Sequence, residues 1–126
     1  MGKINIMNYF KFKKALPKSW CKETAYKKDA DNWSTINPAL GQCAVTALLF
    51  NDFFGGEIYS GISEDGVMHY WNRWLGIKVD LTKQQFSERK IFTQIKHWDR
   101  SELLLTGDVR NRYILLRQRF MNNIEE

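Results

Sequence analysis

The chain has 126 residues, 44% hydrophobic, 14% aromatic and 26% charged, the size and make-up of one domain spanning 1–126. Its 5 Trp, 5 Tyr and 8 Phe, beside only 8 Gly and 2 Pro, exclude intrinsic disorder and collagen-like or low-complexity chains. The longest strongly apolar run, Ala44–Phe50, is far too short to cross a bilayer, and the net charge of +5 is unevenly placed.

Residues 1–28 hold eight lysines against one acid, a balance of +7 that leaves −2 for the rest. Such a cluster is the footprint either of a solvated helix face or of a patch for nucleic acid, anionic lipid or an acidic partner. Arginine, the usual base reader, is missing from it, and no nucleic-acid-binding signature accompanies it, so the solvated face is preferred over a nucleic-acid partner. The start MGKINIMNYFKFKK shows neither a signal peptide nor a myristoylation pattern, which points to the cytoplasm. There Cys21 and Cys43 are expected as free thiols. His69 and His97 stand at no ligand-like spacing to them, so no metal and no other cofactor is expected.

In chain order, Asn5–Leu16 reads as a short helix with Met7, Phe10 and Lys14 on one stripe. Pro17 closes it, because proline disfavours a helical residue before it. Ser19–Asn37 is polar and reads as a long loop pinned by Trp20, Tyr26 and Trp33. Gly41–Gly56, GQCAVTALLFNDFFGG, is the clearest element. Ala44, Val45, Ala47, Leu48, Leu49 and Phe53 cover most of a helical circumference, which marks a central, buried helix stopped by Gly55-Gly56. Cys43 lies in its first turn. Strands are predicted over Glu57–Ile62, Val67–Trp74 and Ile77–Leu81, joined by a Ser63–Gly66 turn and a tight Leu75-Gly76 connection. After them the pattern turns helical. Gln84–Phe86 reads as a short turn of helix, and Arg100–Leu105 as a helix begun by the capping-box spacing of Asp99 and Glu102. A final helix is capped by Asp108, with Val109, Tyr113, Leu116 and Phe120 on one stripe and arginines elsewhere. The sum is an α+β fold: a small antiparallel sheet packed on a central buried helix, with terminal helices.

Cys43, His69 and Asp80 come in an order with mechanical meaning. A helix amino terminus favours a thiolate. A nearby imidazole completes the ion pair, and a carboxylate fixes the tautomer and orientation of the ring. A two-residue Leu75-Gly76 loop would pair Trp74 with Ile77, Arg73 with Lys78, Asn72 with Val79 and Trp71 with Asp80. His69, Trp71, Asp80 and Thr82 would then share a face, with Asp80 a diagonal neighbour of His69 within side-chain reach. Each residue also has a plain role open to it. Cys43 would serve as a small core residue, His69 as a satisfied core histidine and Asp80 as the cap of the turn at Thr82-Lys83. Trp71, Trp74, Tyr70 and Trp33 are candidates for the walls of a substrate groove, or for core and sheet packing. His97 reads as a surface residue.

The run NPALGQCAVTALLFNDFFGGEI, followed by HYWNRW and VDLTKQQF, resembles the bacterial YunG family of small uncharacterised proteins over about Trp20–Phe86. GQCAVTAL, HYWN and DLT-x-x-QF carry the resemblance in combination. The Cys–His–Asp order is in turn similar to that of papain-like and transglutaminase-like folds, where the cysteine starts the central helix. This implies a papain-like or transglutaminase-like core with Cys43 as nucleophile, His69 as general base and then acid, and Asp80 as orienter. Asn72 is an alternative orienter only in a bent strand. Acyl transfer also needs an oxyanion hole. The Cys43 backbone N–H is one donor, and Asn37, matched by its position upstream, and the adjacent Gln42 are the side-chain candidates. The implied activity is a cysteine-dependent acyl transfer of amidase, peptidase, deamidase or transglutaminase type on a peptide or amide substrate. The same scaffold would also serve as a non-catalytic binding or regulatory module, with the aromatic strand or the basic amino terminus holding a partner.

Overall fold

The computed structural model describes residues 7–124. Four helices and four strands run α1 (Tyr9–Ser19), α2 (Cys43–Phe54), β1 (Glu57–Ser63), β2 (Met68–Trp74), β3 (Ile77–Val79), β4 (Phe92–Trp98), α3 (Arg100–Leu104) and α4 (Val109–Ile124). Short 3-10 turns lie at Lys22–Thr24, Ala30–Asn32 and Lys83–Gln85. Among the described residues no helix is long and apolar enough to cross a membrane.

The α2 helix is central because it has no polar face. Ala44 through Phe50 are all buried, and Gly55 stops the helix at φ 71, where a side chain would be strained. Helices α1 and α4 cover one side of it. The Phe12 ring is wholly buried, 5.7 Å edge-on from Phe50 and 4.9 Å from Phe120, so three helices meet on three rings.

Helix α1 does not end at Pro17, as the sequence predicts, but runs on to Ser19. Proline here removes only its own N–H, and burial holds the residue before it helical. Ser19 Oγ donates to the Ala15 carbonyl at 2.9 Å, the Trp20 N–H donates to Leu16 at 3.3 Å, and Leu16, Ser19 and Trp20 are all buried. The helix begins where Asn8 Oδ1 accepts the Lys11 N–H at 2.8 Å. The predicted residues Asn5 and Ile6 lie outside the described residues.

The expected loop over Ser19–Asn37 is held as foreseen at two of its indoles. Trp20 Nε1 donates to Thr46 Oγ1 and Trp33 Nε1 to the Pro38 carbonyl, both at 2.9 Å. Tyr26 is held by its backbone N–H, which donates to Gly41 at 2.8 Å, while its ring is exposed.

The sheet is antiparallel, in the order β3-β2-β1-β4. The Leu75-Gly76 hairpin has the predicted register, with Trp74 opposite Ile77, Arg73 opposite Lys78 and Asn72 opposite Val79. Both turn residues have positive φ, 52 and 77, which matches the twist of a two-residue hairpin. The ladder stops at Val79 rather than Leu81. Asp80 turns out of it, and its Oδ1 accepts the Thr82 N–H at 3.3 Å.

Strand β4 was not anticipated. Its alternation is erased by a bulge, where the register shifts between Ser60 and Ile62 and Gln94 takes φ 53. The predicted capping box at α3 does not form, since Asp99 makes no side-chain cap bond. Arg100 anchors that helix instead, donating to the Leu48 carbonyl at 2.9 Å and to the Tyr113 hydroxyl at 2.8 Å.

The sheet has two unlike faces. Ile58, Tyr70, Asn72, Trp74 and Trp98 face the helical core, where Asn72 Nδ2 donates to the Ala47 carbonyl of α2 at 3.0 Å. His69, Trp71 and Phe92 lie on the other face. There Gly61 sits opposite His69, and an added Cβ would come within 2.7 Å of Phe92 Cβ and 2.9 Å of the Trp71 ring. Glycine leaves the room in which these rings close over the histidine.

Candidate active site

Cys43 is the first residue of α2, so its backbone N–H belongs to the first turn, which has no intrahelical acceptor. The side chain is partly exposed at the mouth of a cleft of about 570 Å³, which Tyr70, Gln85, Gly107 and Arg112 also line. His69 projects from β2 and is 0% exposed. Its ring is enclosed by Phe92, stacked at 5.2 Å, by Phe86 edge-on at 4.9 Å and by Trp71 at 6.0 Å. Asp80 follows β3 and reaches back, with Oδ2 2.7 Å from His69 Nε2. The turn that holds Oδ1 on Thr82 thereby aims Oδ2 at the ring, so the capping role and the ring-orienting role of Asp80 are one arrangement.

The ring's protonation follows from these neighbours. Burial, the largest influence, pulls the imidazole pKa down. The hydrogen bond to Asp80, the neighbouring Cys43 and the charge of Asp80 together outweigh it, and the pKa rises to about 9. The thiol is therefore close enough to act on the ring, while the aligned bond of the imidazole runs to Asp80. Asp80 takes Nε2, and the other ring nitrogen, Nδ1, lies 3.4 Å from Gln85 Nε2.

Gln85 is the polar residue that the sequence analysis did not single out. Its Oε1 accepts the Gly41 N–H at 3.3 Å, and its Nε2 donates to the Thr82 carbonyl at 3.1 Å and lies 3.4 Å from His69 Nδ1. It thus puts an amide N–H beside the ring in the cleft that Cys43 opens onto. The signal was present, since Gln85 is the glutamine of DLT-x-x-QF.

The structure brings Cys43, His69 and Asp80 together and places the other candidates differently. Gln42 is 0% exposed and spends its amide inside the fold, with Oε1 accepting from Thr24 Oγ1 at 2.7 Å and Nε2 donating to the Cys21 carbonyl at 3.0 Å. Asn37 stands one step removed, its Nδ2 donating to the Gln85 carbonyl at 3.2 Å. Trp71 is buried beneath the Lys78 ammonium, 4.4 Å from its ring, and backs the histidine rather than lining the cleft. Trp74 packs on Phe50 and Phe54 of the core, and Trp33 is held on Pro38. Of the aromatic candidates, Tyr70 lines the cleft. Asn72 is committed to α2, and His97 lies on the exposed side of β4.

A second cavity, of about 580 Å³, opens on Asp80 from elsewhere and is lined by Lys78, Lys83, Arg89 and Lys90. It does not reach Cys43. Among the described residues, no three His, Cys, Asp or Glu side chains converge to hold a metal ion.

The arrangement defines an α+β protein in which a thiol lines a cleft and a buried imidazole beside it is bonded to a carboxylate. The chain belongs to the YunG family, whose model, described as YunG protein, matches residues 8–125. It is similar to the uncharacterized protein YunG of Bacillus subtilis (strain 168), 32% identical over 114 residues that cover 88% of this chain and 92% of the relative. No solved structure matches the chain.

Proposed function

We propose that the protein is a cysteine-dependent acyl-transfer enzyme of amidase, peptidase, deamidase or transglutaminase type, on a papain-like or transglutaminase-like core. The observation that carries this reading is the fully enclosed His69 ring, bonded to Asp80 at one nitrogen and influenced by the Cys43 thiol beside it.

In this mechanism the Cys43 thiolate, paired with the protonated His69 ring, attacks the substrate carbonyl. The oxyanion that forms is met by the Cys43 backbone N–H, a first-turn donor, and by the Gln85 amide, which would have to turn from its bond to Thr82. His69 then protonates the leaving amine, and a thioester remains on Cys43. Water or an amine, deprotonated by His69, resolves the thioester and restores the thiol. Asp80 holds Nε2–H throughout and stabilises the imidazolium. A pKa of about 9 keeps the ring protonated in the resting protein at neutral pH, which suits it to pair with a thiolate.

Iodoacetamide tests the reading, with Cys21, also partly exposed, as the internal reference. Cys43 is expected to be alkylated well below pH 8 and much faster than Cys21, and His69→Ala to slow its labelling at least tenfold. Equal, sluggish labelling of both thiols would replace the enzyme with a binding or regulatory module.

A further inference from the structure

The cleft holds a charge that the mechanism does not use. Arg112, on α4, is 6% exposed, yet it lines the cleft with Cys43. Its Nε donates to Asp108 at 2.9 Å and its Nη1 to the Thr24 carbonyl at 3.2 Å. Among the described residues Nη2 has no acceptor. An arginine placed for structure alone spends both ends of its fork, as Arg100 does on Leu48 and Tyr113. Among the described residues no buried side-chain nitrogen or oxygen lacks a hydrogen-bond partner. The unpaired Nη2 therefore meets open space, and the open space that Arg112 lines is the cleft.

Two neighbours locate this charge. The Tyr70 hydroxyl, pushed up to about 12 chiefly by burial, feels the Cys43 charge raising its pKa and the Arg112 charge lowering it. Tyr70 thus lies within electrostatic range of both the reacting thiol and the guanidinium. Asp29 also lines the cleft. Burial raises its pKa and the Arg112 charge lowers it, yet no ion pair joins the two within 4 Å.

We infer that the cleft carries a carboxylate-binding subsite at Arg112, so that the acyl substrate presents a free carboxylate there while its carbonyl meets Cys43. The inference rests on the proposed acyl-transfer reading for its substrate. A guanidinium suits this task because it is always charged, and the free Nη2 can give a carboxylate a charge-assisted hydrogen bond. Its burial also removes the water that would compete for the ligand. The substrates singled out are peptides or amides with a carboxylate near the scissile bond, such as a carboxy-terminal residue or an acidic side chain.

The test compares maleimides of equal reactivity on the intact chain: neutral N-ethylmaleimide against N-carboxyalkyl maleimides of increasing spacer length. In each reaction the Cys43 thiolate adds to the maleimide double bond and the adjacent carbon takes a proton. At least one carboxylate probe is expected to label Cys43 faster than the neutral one. Arg112→Gln should cut that preference about tenfold, the scale of one charge-assisted hydrogen bond, and Arg112→Lys should keep part of it. Because Arg112→Gln also loses the bonds to Asp108 and Thr24, Asp29→Asn supplies an independent arm. Removing this carboxylate, which shares the cleft with Arg112 and its ion-pair partner Asp108, should strengthen the preference. A preference unchanged in Asp29→Asn and in folded Arg112→Gln overturns the subsite. Failure of the enzyme reading looks different: Cys43 would then label no faster than Cys21 and would ignore His69→Ala, whatever the probe.

Discussion

The two faces of the sheet put burial to different uses. Toward the helices, Ile58 and the rings of Phe12, Phe50 and Phe120 are removed from water in one apolar cluster. The contacts from the sheet into this side are neutral and satisfied, such as Asn72 on Ala47 and Trp98 on Ser60, while the Arg100 guanidinium enters only at its margin, on the Leu48 carbonyl. On the other face the same rings-and-glycine packing closes over an imidazole and lets one carboxylate in. Burial there does not simply stabilise. It penalises a charged ring, and that penalty is overcome only because Asp80 and Cys43 are held against it. The helical face converts apolar area into fold stability, whereas the outer face converts it into control over one proton.

The largest expected effect separates these roles. Phe12→Ala removes a wholly buried ring from the three-helix junction and should cost about 3–5 kcal/mol in urea unfolding. In the molecules that remain folded, Cys43 should still depend on His69 for its labelling. A variant that kept its stability but lost Cys43 reactivity would show that the two faces are not separable.

A smaller effect comes from the outer face and carries a sign. The His69 pKa is raised from 6.5 to about 9, so the folded state binds a proton more tightly than the unfolded chain. The resulting stabilisation is fully present below pH about 6.5 and is lost as pH rises through about 9, on the order of 3 kcal/mol in total. Urea unfolding of the native chain between pH 6 and 9.5 should show the loss. Asp80→Asn should lower the ring's pKa, followed by NMR, and flatten that slope. Parallel pH profiles for the two proteins would mean that the charged pair is not its source.

Much of this difference between faces is visible in the sequence, for reasons of period. The run Ala44–Phe50 has no polar side, so α2 announces itself as central. The hairpin register follows from Leu75-Gly76 and the two-residue alternation as far as Asn72–Val79, but the expected Trp71–Asp80 pair does not form, and Asp80 meets His69 from the turn onto Thr82 instead. Strand β4 escaped because its bulge breaks the alternation, and its middle residues, Thr93 through His97, are all exposed. Gln85 escaped because an amide in a turn carries no periodic signal. Its place beside His69 depends on how the chain leaves β3 and on the Gly41 N–H from a distant segment. Gln42 misled for the converse reason. Adjacency to Cys43 in sequence says nothing about where a side chain at a helix start points, and here Thr24 and Cys21 claim it.

The smallest expected effect asks whether turn or ladder sets the geometry of the outer face. Leu75 adopts φ 52 with its side chain 81% exposed, a branched residue in a conformation that asparagine and glycine accept more readily. Leu75→Asn forfeits little packing and should stabilise the chain by about 1 kcal/mol, measured as a shift in the urea midpoint with unchanged m. Three cross-strand pairs, Asn72–Val79, Arg73–Lys78 and Trp74–Ile77, hold the hairpin independently of the turn residue. The His69–Asp80 contact, the ring's titration and the rate of Cys43 labelling should therefore be unaltered. A gain in stability accompanied by a shifted His69 titration would place control of the carboxylate in the turn instead. The outer face would then tolerate change at its hairpin tip far less than the helical face tolerates change at its own surface.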